Sequence, residues 1–284
     1  MQSSNPVFAR SEGFNGRATT TYPGSAPAYA DFGTGSPTHT TTGTGTGRMT
    51  IDSVVQKTAI TLGVVVLVAA ATWVLTGDVV RDDGFGDPTI DTGKAQLLYT
   101  LSAIGAFGGF ALAMVNSFKR VISPALVIAY AALEGLFVGA MSKVFQLTFG
   151  QGVVTGAVLG TIAAVAGTLT AYKVFNIQVG NKFRKWIIGM MFGFVGVVLL
   201  DVVLGMFGTA IGFNGFGPLG LIMSFIGLAL GVLLLILDFD FVERGIAAGL
   251  PERESWRAAF AFTVTIIWIY IELLRILAIL RGND

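Results

Sequence analysis

The chain changes character at Met49. Before it, polar and small residues follow one another with no helical or strand period; after it, long uncharged apolar runs recur, separated by short polar stretches. The runs cover Thr58–Thr76, Ala95–Val115, Val121–Ser142, Gly152–Tyr172, Trp186–Phe207, Gly217–Leu237 and Trp256–Leu280. At about 1.5 Å per helical residue, roughly 20 residues cross a hydrocarbon layer about 30 Å thick. The pattern therefore predicts an all-α integral membrane protein, a seven-transmembrane helix bundle over 49–284, preceded by a tail over 1–48. The seventh run differs in carrying Glu272 and Arg275, which leaves open whether it crosses or re-enters.

The polar stretches between the runs alternate in charge. Arg10, Arg17, Arg48 and Lys57 precede the first span; Lys119 and Arg120 join the second to the third. Lys173, Lys182, Arg184 and Lys185 join the fourth to the fifth, and Arg244, Arg253 and Arg257 join the sixth to the seventh. The other connections are poor in bases: 77–94 holds Asp78, Asp82, Asp83, Asp87 and Asp91, and 208–216 holds no charge. Basic connections stay on the cytoplasmic side, so the N-terminus is expected inside and the C-terminus outside.

The tail, which ends in Thr40-Thr41-Thr42-Gly43-Thr44-Gly45-Thr46-Gly47, offers too little apolar surface to offset the entropy of ordering it. With no apolar run of its own it does not read as a cleavable signal peptide; it reads as a flexible cytoplasmic leader.

Composition narrows the chemistry. Apolar residues make up 53% of the chain and charged ones 12%, the balance of a membrane protein, and 38 glycines suit helices that approach one another closely. A net charge of +1 gives no basic face for nucleic acid. Cysteine is absent and the one histidine, His39, lies in the tail. Thiolate chemistry, Cys-ligated metals, histidine metal sites, haem ligation and a Ser-His-Asp triad thus lack their residues, and neither an enzyme nor a bound cofactor is expected.

What chemistry there is falls to carboxylates inside the apolar runs: Glu134, Asp201, Asp238 and Glu272. An ionised side chain at such depth costs about 3 kcal/mol or more, so each marks a pathway, a protonation site or a compensated contact. Counted along their runs, Glu134 and Asp201 fall near the bilayer centre. Glu134, in Ala131-Ala132-Leu133-Glu134-Gly135, reads equally as a pathway acid or as a hydrogen bond between helices. Asp201, in Val197-Val198-Leu199-Leu200-Asp201-Val202-Val203-Leu204, has no cation on its own helix at that depth and reads as a pathway acid. Glu272 and Arg275, three apart, share a helix face and are expected to pair there; the alternative is that Arg275 anchors an acid of another helix, Asp201 included.

The densest pattern is Leu237-Asp238-Phe239-Asp240-Phe241-Val242-Glu243-Arg244. Asp238 closes the sixth run, and an acid at a helix C-terminus opposes the helix dipole, so stability alone would not place it there. Asp240 points across the helix from it, within (i, i+4) reach of Arg244. Gly84-Phe85-Gly86-Asp87 matches the Gly-x-Gly-Asp pattern of intramembrane aspartyl proteases, but that chemistry needs two aspartates on facing helices, and Asp87 falls in an acidic external loop before Pro88.

Leu237-Asp238-Phe239, followed after a charged turn by Glu272-Leu273-Leu274-Arg275-Ile276-Leu277-Ala278-Ile279-Leu280, resembles the Bax inhibitor-1/YccA family of six- or seven-span membrane proteins, over roughly Val54 to Leu280 with no counterpart for the tail. The resemblance implies a multi-pass protein of a bacterial plasma (inner) membrane. It further implies a proton-sensitive calcium leak in which two aspartates on the last two helices share a proton near the cytoplasmic mouth. Asp238 matches the first; the second falls at about Thr265, so that pair is incomplete, with Glu272 two turns further on. The gate arginine that the resemblance implies near the inner end of span two corresponds to Arg120, or to Lys119 beside it. The expected partners are the lipid bilayer, calcium ions and protons, with no nucleic acid. Two further classes fit the same residues: a proton-coupled transporter of a small solute, and a regulator that binds a protease or another membrane-protein partner.

Overall fold

A computed structural model of the chain describes residues 47–81 and 89–282. Residues 1–46 of the leader and the Gly84–Asp87 motif fall outside the described residues.

Seven helices in the described part are long and apolar enough to cross a membrane. They are α1 (Ile51–Leu75), α2 (Thr92–Phe118), α3 (Pro124–Phe149), α4 (Val153–Val174), α5 (Asn181–Met206), α6 (Pro218–Ala247) and α7 (Glu254–Gly282). Their starts follow local chemistry. Thr50 and Ser53 form a reciprocal capping box on α1, and Asp91 accepts from the Lys94 amide at the head of α2 (3.1 Å). Pro124 and Pro218 open α3 and α6 at a position where no backbone N–H is needed. Inside the bundle, hydroxyls that would be costly in lipid bond back to carbonyls one turn earlier, as Thr161 does to Ala157 and Thr263 to Ala259.

The helices overrun the apolar runs at their ends. The largest departure is α6, which continues ten residues past Leu237 to Ala247. Asp238 is therefore well inside a helix and not at its end, so the helix-dipole argument for it does not hold. The added turns are stable because each of their polar residues has a partner, described below.

α7 is one unbroken helix of 29 residues and forms the centre of the bundle, packed by α1, α3, α4 and α6. Enclosure by protein is what lets the most polar run cross. α2 packs chiefly on α3, and α5 chiefly on α6, so these two lie at the edges. α1 and α3 meet almost backbone to backbone: a Cβ on Gly139 would stand 2.8 Å from Ala69 Cα, and one on Gly135 2.8 Å from the Val65 carbonyl. By the charge rule, the inner end is the one carrying the α6–α7 turn. There Lys57 of α1 bonds Glu252 (2.9 Å) and the Ser53 and Ser255 hydroxyls meet at 2.7 Å. At the outer end Lys143 of α3 caps the C-terminus of α1, donating to the carbonyls of Trp73 (2.9 Å) and Gly77 and to the Thr76 hydroxyl.

Candidate functional site in the α6–α7 seam

The two helices that flank the last turn carry facing polar groups at successive levels. At the inner level, Thr265 Oγ1 donates to Asp238 Oδ2 over 2.7 Å. Thr265 is buried, and among the described residues Asp238 makes no ion pair. Seven residues further along α7, about 10.5 Å higher at 1.5 Å per residue, lies Glu272. Its carboxyl sits in the space left by Gly227 of α6, where a Cβ would come within 2.7 Å of Cδ. Between the two levels the Trp268 indole donates to the Gly227 carbonyl (2.9 Å), turning its ring against Phe194 of α5. The seam thus holds an acid near each mouth, with aromatic rings between.

The outer end of the seam is covered by the chain over 207–217. Asp201, five residues before the end of α5, accepts from the backbone N–H groups of Ile211 (2.8 Å), Gly212 (3.0 Å) and Asn214 (2.8 Å). Arg275 of α7 donates to the carbonyls of Phe213 (2.5 Å) and Gly215 (3.0 Å) in the same loop. One acid and one cation from opposite helices therefore pin the loop by its donors and by its acceptors.

Two sequence expectations change here. The run position predicts Asp201 near the bilayer centre as a pathway acid; α5 begins at Asn181 and not at Trp186, so Asp201 lies at the outer end, with both oxygens engaged by the loop. The pathway reading gives way to a structural one, because a carboxylate holding three amides is not free to bind a passing ion. Glu272 and Arg275 share a face but form no ion pair, since the loop carbonyls take the guanidinium. Arg275 reaches Asp201 only through that shared loop.

Asp240 faces away from the seam, as its register requires. It bonds Arg184 of α5 (2.7 Å) and Arg244 (2.9 Å), and Arg244 also donates to the Val179 carbonyl. Glu243 accepts from the Tyr172 hydroxyl (2.7 Å). This network fastens α4 and α5 to the end of α6, and Asp240 serves as an anchor there, outside the seam. Glu134 is half-buried between α2 and α3, against Gly109, with the Tyr130 hydroxyl one turn back as its partner. It does not face the seam, which favours the hydrogen-bonding reading of that acid. Arg120 lies exposed in the α2–α3 turn beside exposed Lys119, and its carbonyl accepts from Arg257 (2.8 Å). Among the described residues Arg120 makes no ion pair with Asp238, and the turn holds it at the surface.

Sequence reasoning missed Ser224, Lys143 and Arg184. Ser224 shares a face of α6 with Gly220 and Gly227, a small-residue spacing that could have marked it; Lys143 and Arg184 gave no signal beyond being charged near a span end.

Comparison with known proteins agrees with the architecture. The family model described as Bax inhibitor 1 like matches residues 5–282. The chain belongs to the Bax inhibitor 1-like family. The match begins within the leader, so the family likeness extends further than the Val54–Leu280 read from the sequence. An uncharacterized protein of Chlamydia muridarum (strain MoPn / Nigg) is 25% identical over 197 residues, 66% of this chain and 80% of that one. As a Bax inhibitor 1-like protein the chain is a multi-pass membrane protein whose seven apolar helices imply a bilayer around them.

Proposed function

We propose that this protein is a pH-sensitive cation leak, with calcium as the cation, in a bacterial plasma membrane, and that Asp238 is its gate. The observation that carries the reading is the Asp238–Thr265 hydrogen bond: a carboxylate between two helices at the inner mouth, held by one neutral hydroxyl and by no cation. Calcium takes oxygen ligands, and a single carboxylate with a hydroxyl beside it gives a weak, transient site, as conduction requires. A proton on Asp238 removes that ligand, so flux falls as the pH falls through the titration of the carboxyl. Since threonine does not titrate, the pH response follows one proton, where two facing aspartates would give a coupled pair.

The test is calcium flux into liposomes carrying the purified full chain, across pH. Asp238→Asn is expected to flatten the pH response and lower the flux. A variant with wild-type flux and wild-type pH response would remove Asp238 from the gate.

A further inference from the structure

The outer level of the seam holds three buried polar atoms without a hydrogen-bond partner: Glu272 Oε2, Ser224 Oγ and Arg275 Nε. Ser224 is wholly buried and Glu272 is 7% exposed, so bulk water does not satisfy either. They are neighbours. Gly220, Ser224 and Gly227 follow one another at helical spacing on the face of α6 that meets α7. Gly227 abuts the Glu272 carboxyl, and a Cβ on Gly220 would stand 3.1 Å from Arg275 Nη2. Ser224 lies between these two contacts with its hydroxyl turned to the Glu272 carboxyl, close enough to interact with it but outside the geometry of a direct hydrogen bond.

The three valences are complementary. Arg275 Nε–H can only donate, the carboxylate oxygen can only accept, and the hydroxyl can do either. A buried polar atom left unpaired costs about 1–3 kcal/mol, and buried waters typically make about three hydrogen bonds to such groups. A cation would answer Glu272 but would be opposed by the guanidinium; an anion would answer Arg275 and be opposed by Glu272. A neutral molecule that both donates and accepts suits all three.

We propose that Ser224, Glu272 and Arg275 enclose a water-binding site that makes Glu272 a proton acceptor served from the outer face, separate from the Asp238–Thr265 pair. The charged groups facing it are Arg275 on its own helix and, behind the 207–217 loop, Asp201 of α5. α6 contributes only the Ser224 hydroxyl, and the Leu273 and Leu277 contacts with α4 are apolar. In the transfer step a hydronium ion at the outer end, next to the loop that Arg275 holds, passes a proton to the bound water as that water's own O–H bond breaks and its proton goes to Glu272 Oε2, so that neutral water is left in both places.

The proposal rests on the leak reading of the seam and adds a titrating level that binds no calcium, so the one-proton response of the flux is unchanged and the test does not use calcium flux. Infrared difference spectra of the full chain in liposomes are recorded on acidification in H2O and D2O. A carboxylic-acid band is expected that disappears in Glu272→Gln and persists in Asp238→Asn. It shifts in frequency in Ser224→Ala, a small change that leaves the packing in place, and its deuterium shift develops promptly when D2O is added outside. The proposal is overturned if Glu272→Gln removes no band, if Ser224→Ala leaves the band unmoved, or if the deuterium shift lags behind the exchange of buried backbone amides. Calcium flux on the same liposomes judges the leak reading alone.

Discussion

Thr265 of α7 donates its hydroxyl hydrogen to Asp238 of α6 across 2.7 Å, in the position where the family resemblance implies a second aspartate. Replacing that hydroxyl separates its two roles. Thr265→Val keeps the shape and removes one hydrogen bond to a charged group, a loss of about 1.5–3 kcal/mol measurable as a lower melting temperature in detergent. Its flux is expected to keep a one-proton pH dependence. Thr265→Asp places two carboxyls at one site, and the pH dependence of flux should steepen beyond one proton; an unchanged slope would show that position 265 is not in the gate.

Asp201 is expected to matter for folding and not for gating. Its carboxylate holds three backbone amides of the outer loop, so Asp201→Ala leaves those amides without their acceptor. A lower melting temperature is expected, with Asn milder because its oxygen still accepts. Thermal unfolding measures the loss, while the pH midpoint of flux in the Asn variant stays at the wild-type value.

The α1–α3 contact gives a packing test. Gly139→Ala drives a methyl into the backbone of Ala69 and should cost about 1–3 kcal/mol. Gly193→Ala on α5 meets nothing within 4 Å and should leave stability unchanged or slightly raised. Comparable melting points for the two variants would contradict the close approach.

Asp240 holds two arginines whose side chains are 39% and 51% exposed, which limits what each bond contributes. Arg184→Ala and Arg244→Ala should each cost about 0.5–1 kcal/mol. The double variant should cost more than their sum, because Asp240, itself 8% exposed, then loses both partners. A strictly additive pair would show that the carboxylate is solvated without them.

The sequence resolved most of the fold and part of the site. Seven spans and their alternating direction follow from run length and basic connections, and Asp238 stands out as an acid beside a long apolar stretch. The extension of α6 past Leu237 was hidden because charged residues interrupt 238–247; their charges stay inside a helix through partners on α4 and α5 that only packing supplies. The same limit misplaced Asp201, whose partners are backbone amides 10–13 residues away and leave no residue-type signal.

What the sequence by itself determined about this protein is its solvent and its chemistry. Apolar length demands a bilayer, and the absence of cysteine and of any histidine beyond the tail leaves carboxylates, hydroxyls and arginine to act. What only the tertiary structure decided is which of those groups meet. Four acids within apolar runs look alike along a chain, because burial cost depends on residue type and depth. Their roles depend on the partner across the interface: a hydroxyl for Asp238, loop amides for Asp201, a tyrosine one turn back for Glu134, and for Glu272 an oxygen that no protein group satisfies.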